Sequence, residues 1–96
     1  MKPSIALANN YDAVQRIVAS RRVLNPRIFG SVASGLDTEQ SDLDLLVDST
    51  PETTMFDIGA IKNALQKLLG VQVDVLTPNA LPDAFRQHVI ASAMPL

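Results

Sequence analysis

The sequence predicts an α/β (α+β) fold, a small mixed sheet of three to four strands backed by helices, in a single domain spanning residues 1–96. Three observations carry this. Two short runs, Asp42–Asp48 and Val71–Leu76, alternate in the period of a strand. Apolar residues at intervals of three and four fill the stretches before, between and after them. And 96 residues suffice for one small core and no second one.

From the N-terminus, Leu7, Tyr11, Val14 and Val18 form one face of a helix over about Ser4 to Arg21. Asn25–Pro26 breaks the pattern, and Arg27–Ile28–Phe29–Gly30 reads as a short strand ending in glycine. Residues 31–41, rich in Ser, Gly, Ala, Asp and Thr, read as a loop or short helical turn. In the Asp42–Asp48 strand, Asp42, Asp44 and Leu46 share one face, and Leu43, Leu45 and Val47 the other. After a turn at Pro51, Thr54 and Asp57 form a capping box with Asp in place of Glu. Ile58, Ile61, Leu65 and Leu68 give the following helix its apolar stripe, and Gly70 ends it. Val71, Val73 and Val75 share a face of the third strand, opposite Gln72, Asp74 and Leu76. Thr77–Pro78–Asn79 turns the chain, and Pro82 suits the first turn of a last helix. The helices are expected on one side of the sheet.

Composition removes several function classes. Ten acids against eight bases give a net charge of −2, which argues against direct nucleic-acid binding. No cysteine and a single histidine, His88, exclude zinc fingers, iron–sulfur clusters, disulfides and thiol catalysis. No secretory signal or membrane-spanning run is visible, so the expected location is cytoplasmic. Only 19% of residues are charged, which suggests that a partner covers part of the apolar surface.

The chemistry lies in Gly30–Ser31, ten intervening residues, and Asp42–Leu43–Asp44. Aspartates at i and i+2 of a strand point the same way. Asp74, flanked by valines in a separate strand, is out of place in a core unless it reaches a polar site. If the two strands are neighbours, three carboxylates converge. Their repulsion is relieved by a divalent cation, and an all-oxygen ligand set selects Mg²⁺, with Mn²⁺ the alternative. Two such ions about 4 Å apart can stabilise the attacking and leaving oxygens of a phosphoryl displacement. A glycine lets backbone approach a triphosphate without a Cβ in the way. There is neither a P-loop nor a dinucleotide-binding glycine pattern.

This spacing resembles the DNA polymerase β-like nucleotidyltransferases, and more closely the minimal nucleotidyltransferases, the antitoxin half of HEPN–MNT toxin–antitoxin pairs. The resemblance covers nearly the whole chain: Arg27–Ser31, Ser41–Val47, Phe56–Gly59, Leu69–Val71, Val73–Thr77 and the ending Ala93–Leu96. It implies the polymerase β-like fold, with Asp42, Asp44 and Asp74 as catalytic and metal-holding residues. Asp74 would also orient or deprotonate the acceptor hydroxyl. Gly30, Ser31 and Ser41 would bind the nucleotide. The implied reaction is transfer of AMP from Mg²⁺–ATP, with two metal ions, to a tyrosine of a partner HEPN ribonuclease toxin, which silences it. Where these proteins commonly read Ala-Arg-Gly-Glu, this chain reads Ala33–Ser34–Gly35–Leu36, which removes an arginine contact to phosphate. Glu-Ala near their C-terminus is here Ser92–Ala93. A domain this small leaves little room for an acceptor pocket, which favours a docked protein acceptor. The rival readings are a binding antitoxin that acts by contact alone and a small-molecule nucleotidyltransferase.

Other polar residues have plainer expectations. Asp37, Glu39 and Asp48 read as surface or cap residues, Tyr11 as core or partner contact, and His88 as a surface or packed histidine. Arg22, Arg27, Lys62 and Lys67 read as solvated, with one of them able to replace the missing loop arginine. The tail from Val89 to Leu96 reads as a helix closing the domain, or as a docking segment for a partner.

Overall fold

The computed structural model describes residues Met1–Leu96. Helices α1 (Pro3–Asn9) and α2 (Tyr11–Ala19) lead into strand β1 (Val23–Phe29). A single helical turn, α3 (Gly30–Ser34), and a loop precede β2 (Leu43–Ser49). Helix α4 (Met55–Leu69), strand β3 (Val73–Leu76), a 3₁₀ turn (Pro78–Ala80), helix α5 (Asp83–Ser92) and strand β4 (Met94–Pro95) complete the chain. The sheet is mixed and four-stranded, in the order β3-β2-β1-β4. β2 and β3 are parallel, joined through α4, whereas β1 is antiparallel to both β2 and β4.

The expected alternation decides which face is the core. Leu43, Leu45 and Val47 of β2 and Val73 and Val75 of β3 are buried with Val14 and Val18 of α2 and Ile61 and Leu65 of α4. Each such side chain contributes about 1.5–3 kcal/mol when fully buried. Helix α4 begins at the expected capping box: Thr54 N donates to Asp57 Oδ2 at 2.9 Å, and Asp57 N donates to Thr54 Oγ1 at 3.3 Å. It ends at Gly70, in the left-handed conformation. No helix is long and apolar enough to cross a membrane.

Four elements differ from expectation. The first helix is two, broken at Asn10 (φ −129°, ψ 24°). There the Asn10 side chain donates to Ala6 O at 2.9 Å, the local competition with helical bonding that disfavours asparagine mid-helix. Asn25–Pro26 does not end a segment. It lies within β1, where the register with β2 shifts between Leu24 and Arg27 and Asn25 takes a positive φ of 51°. A bulge absorbs the amide that proline lacks. The tail is not helical to its end: after Ser92 it becomes β4, pairing Met94 with Ile28 and Pro95 with Arg27. Finally, α5 has no buried residue and borders a cleft with Phe29 and Gly30, away from the layer formed by α2 and α4.

Candidate active site

The parallel register of β2 and β3 sets Asp44 level with Asp74, just as it sets Leu45 level with Val75 in the core. Partners on neighbouring strands lie about 4.8 Å apart and turn their side chains to the same face. On the other side of β2, Phe29 of β1 is the partner of Asp44. One row across the sheet thus reads Phe29, Asp44, Asp74, on the face opposite the core. Asp42 stands just before β2, on the same side by alternation, and is exposed.

Gly30 closes the row. Its φ of +71° favours glycine, and a Cβ built on it would overlap Asp44 Oδ2 and lie 3.4 Å from Asp44 Cγ. The backbone at the end of β1 is therefore seated against the Asp44 carboxylate. Desolvation pushes the Asp44 carboxyl up to about 6 from 3.8. The charges of Asp74 and Asp42 and a side-chain hydrogen bond with Asp74 push it the same way. The protein has thus placed a carboxylate where it ionises reluctantly unless positive charge arrives.

The three aspartates do not stand as one three-ligand cage: no three of the chain's His, Asp or Glu side chains are placed to share an ion. Asp44 and Asp74 are brought together, and Asp42 lies at the open end. Mg²⁺ is commonly bound through one or two carboxylates, with water and substrate phosphate completing its shell. The Asp44–Asp74 pair, with Asp42 beside it, fits that demand.

Ser31 is half-buried in α3, where its carbonyl accepts from Leu36 N at 2.9 Å and from Ser34 Oγ at 3.1 Å. Ser41 is placed differently from Gly30 and Ser31. Its hydroxyl accepts from Thr38 N at 2.8 Å, closing a turn, and it lines a hollow on the Asp42 side together with Gln66 and Gln72. Asp37 serves as a cap: its Oδ2 accepts from Ser4 N at 2.9 Å, and that bond holds its carboxyl below the ordinary range. Asp37 thereby ties the loop between α3 and β2 to the start of α1. Arg27, expected to be solvated, is buried and paired with Asp48 at 3.1 Å.

A cleft of about 500 Å³ opens beside Gly30, between the α3 turn and α5. Gly30 and Ser34 form one wall and His88 and Ser92 the other, with Phe29 at the base of the sheet side. Sequence reasoning did not place His88 or Ser92 here. The one available signal was that His88 is the sole histidine.

Residues 12–96 match the nucleotidyltransferase domain family. The chain belongs to that family. Among its relatives is the "Putative protein adenylyltransferase MJ0435" of Methanocaldococcus jannaschii, 32% identical over 78 residues, which are 81% of this chain and 84% of that protein. A second from the same organism, "Putative protein adenylyltransferase MJ0126", is 33% identical over 67% of this chain and 65% of its own length. Among solved structures, a "putative minimal nucleotidyltransferase" superposes with a TM-score of 0.84 at 39% identity, covering 97% of this chain and 95% of that one. A chain of a solved "toxin-antitoxin with AMP-PNP" shares the fold at 17% identity and a TM-score of 0.75, over 90% of this chain and 71% of that one. The expected nucleotidyltransferase fold is therefore the observed one.

Proposed function

We propose that residues 1–96 act as one Mg²⁺-dependent protein adenylyltransferase domain. It moves AMP from ATP to a tyrosine hydroxyl of a partner HEPN ribonuclease toxin, and acts as its antitoxin in the cytoplasm. The observation that carries this reading is the Asp44–Asp74 pair, set at one level of a parallel ladder with the Gly30 backbone against Asp44. Relatives named as protein adenylyltransferases support the reaction, and fold neighbours from toxin–antitoxin complexes support the class of partner.

Asp42, Asp44 and Asp74 would hold Mg²⁺, or Mn²⁺, which when bound supplies positive charge to the phosphate oxygens. Gly30 and Ser31 would take the phosphates, and glycine at 30 keeps the backbone close to Asp44, where a Cβ would collide with the carboxylate. Ser41, engaged with Thr38, would contribute to nucleotide binding by setting the loop that delivers Asp42. Asp74 would orient the acceptor hydroxyl and take its proton. The new bond joins that oxygen to the α-phosphorus, the bond from the α-phosphorus to the bridging oxygen breaks, and pyrophosphate leaves.

A second reading rests on α5, which buries no residue and exposes Phe85 and Ile90: neutralisation of the toxin by contact alone. Intact-protein mass spectrometry of the copurifying partner after incubation with Mg²⁺–ATP separates the two. Whole AMP additions that vanish with Asp42→Asn and Asp44→Asn are expected. Additions retained in both variants would refute the carboxylate mechanism. A stable complex with no addition would leave the contact reading.

A further inference from the structure

We propose that His88 binds the polyphosphate tail of the nucleotide across the cleft from Gly30 and Ser34. The proposal rests on the nucleotidyltransferase reading above and adds to it the residue that meets the tail's charge.

A nucleoside triphosphate brings three to four negative charges to a face that already holds Asp42, Asp44 and Asp74, on a chain of net charge −2. A cation at the carboxylates offsets charge there, and the rest of the tail needs a donor further along. The cleft shares Gly30 with the carboxylate row, since the Gly30 backbone is seated against Asp44, and none of the chain's lysines or arginines lines it. Their positions explain why. Arg27 is buried against Asp48. Arg86 is held by Pro78 O at 2.8 Å, Leu81 O at 2.9 Å and Asp83 at 2.6 Å. Arg21 faces Asp57 at 3.9 Å. Arg16, Lys62 and Lys67 lie on α2 and α4, the helices of the core face, and Arg22 precedes β1 at the end of the strand far from Gly30. Lys2 precedes α1, near Asp37.

The cleft's own hydroxyls are also committed. Ser34 Oγ donates to Ser31 O at 3.1 Å, and Ser92 Oγ donates to His88 O at 2.8 Å. Each hydroxyl has one proton to give, and in the structure both protons are used within their own helices. The His88 ring is exposed, lines the cleft, and is the one side chain there with a free donor and the capacity for positive charge. The Ser92–His88 bond closes the last turn of α5, just before the tail is pinned as β4 against β1. The backbone that carries His88 is therefore held on the cleft wall.

The test compares wild type, His88→Ala and His88→Arg in two measurements: calorimetric binding of inorganic tripolyphosphate and of adenosine with Mg²⁺ present, and steady-state AMP transfer to the partner. His88→Ala should weaken tripolyphosphate binding and raise KM for ATP by about tenfold, the scale of one lost charge-assisted hydrogen bond. Adenosine binding and kcat should stay within about twofold, and His88→Arg should restore the tripolyphosphate affinity. Unchanged tripolyphosphate binding in His88→Ala, or an equal loss for adenosine, would overturn the assignment. That failure would leave the carboxylate reading intact if Asp44→Asn still abolishes transfer. Conversely, His88-dependent tripolyphosphate binding by a protein that transfers no AMP would sustain the phosphate site and sink the transferase reading.

Discussion

Adding one methyl group at Gly30 tests whether the end of β1 and the Asp44 carboxylate form one device. Gly30→Ala imposes two penalties. The backbone φ of +71° disfavours any residue with a Cβ, at about 1–2 kcal/mol. The new Cβ also overlaps Asp44 Oδ2, so the carboxylate must turn away. Turning a short side chain is possible, so the stability loss should stay near the backbone value, a fall in Tm of about 4–8 °C per kcal/mol for a domain of this size. Catalysis has no such escape, because a displacement of about 1 Å in a positioning group costs on the order of a hundredfold in rate. Gly70→Ala is the internal control: its φ is +70°, but nothing lies within 4 Å of its Cβ position. Both variants should lose similar stability in thermal melts, and only Gly30→Ala should lose AMP transfer in the intact-mass assay. Equal transfer by the two variants would refute the claim that the Gly30 backbone is fitted to Asp44.

The Asp44 carboxyl, pushed up to about 6, keeps its proton in the folded state over a pH range where the unfolded chain, at 3.8, has lost it. Stability from this group is therefore full below pH 4 and is lost as pH rises to about 6. The gap is worth at most about 3 kcal/mol, cut by solvent screening at a half-exposed site to about 1 kcal/mol. In metal-free buffer, wild type should fall behind Asp44→Asn in Tm between pH 4 and 6 and stay behind above it; parallel profiles would show that Asp44 is not strained. At the start of α4, Thr54→Ala removes the acceptor for Asp57 N and should lower stability by about 1 kcal/mol. Since the cap is remote from the carboxylates, nucleotide binding by the remaining folded protein should be unchanged, and a loss of binding beyond the unfolded fraction would contradict this.

What the sequence made legible follows the range of the forces involved. Alternation in 43–45 and 73–75 is a local pattern with one buried face, and it placed Asp44 and Asp74 on the opposite face correctly. The capping box at Thr54 and Asp57 is likewise a contact three residues long. The differences arise where distant segments decide. Met94–Pro95 is too short to declare a strand, and it becomes one because β1 offers an open edge at Arg27 and Ile28. Pro26 normally ends regular structure, but a bulge opposite β2 accommodates it. His88 lies 58 positions from Gly30, and no local pattern could bring α5 to that cleft.

The mixed sheet itself explains why the site is rigid without a cage of ligands. Parallel pairing of β2 with β3 brings two aspartates level, while antiparallel pairing of β1 delivers its last residue, and hence Gly30, to the same row. A parallel β1 would have ended at the opposite end of the strands, near Ser49. A slip of one residue in β2 would exchange the faces, turning Asp44 into the cluster of Val18, Ile61 and Leu65 and Leu45 to solvent. The apolar residues that alternate with the carboxylates therefore fix the register. Every buried leucine and valine on the core face opposes the one shift that would relieve the charge repulsion on the other. Asp44 can consequently be held in an unfavourable protonation environment, ready for a cation, by side chains that never touch a nucleotide.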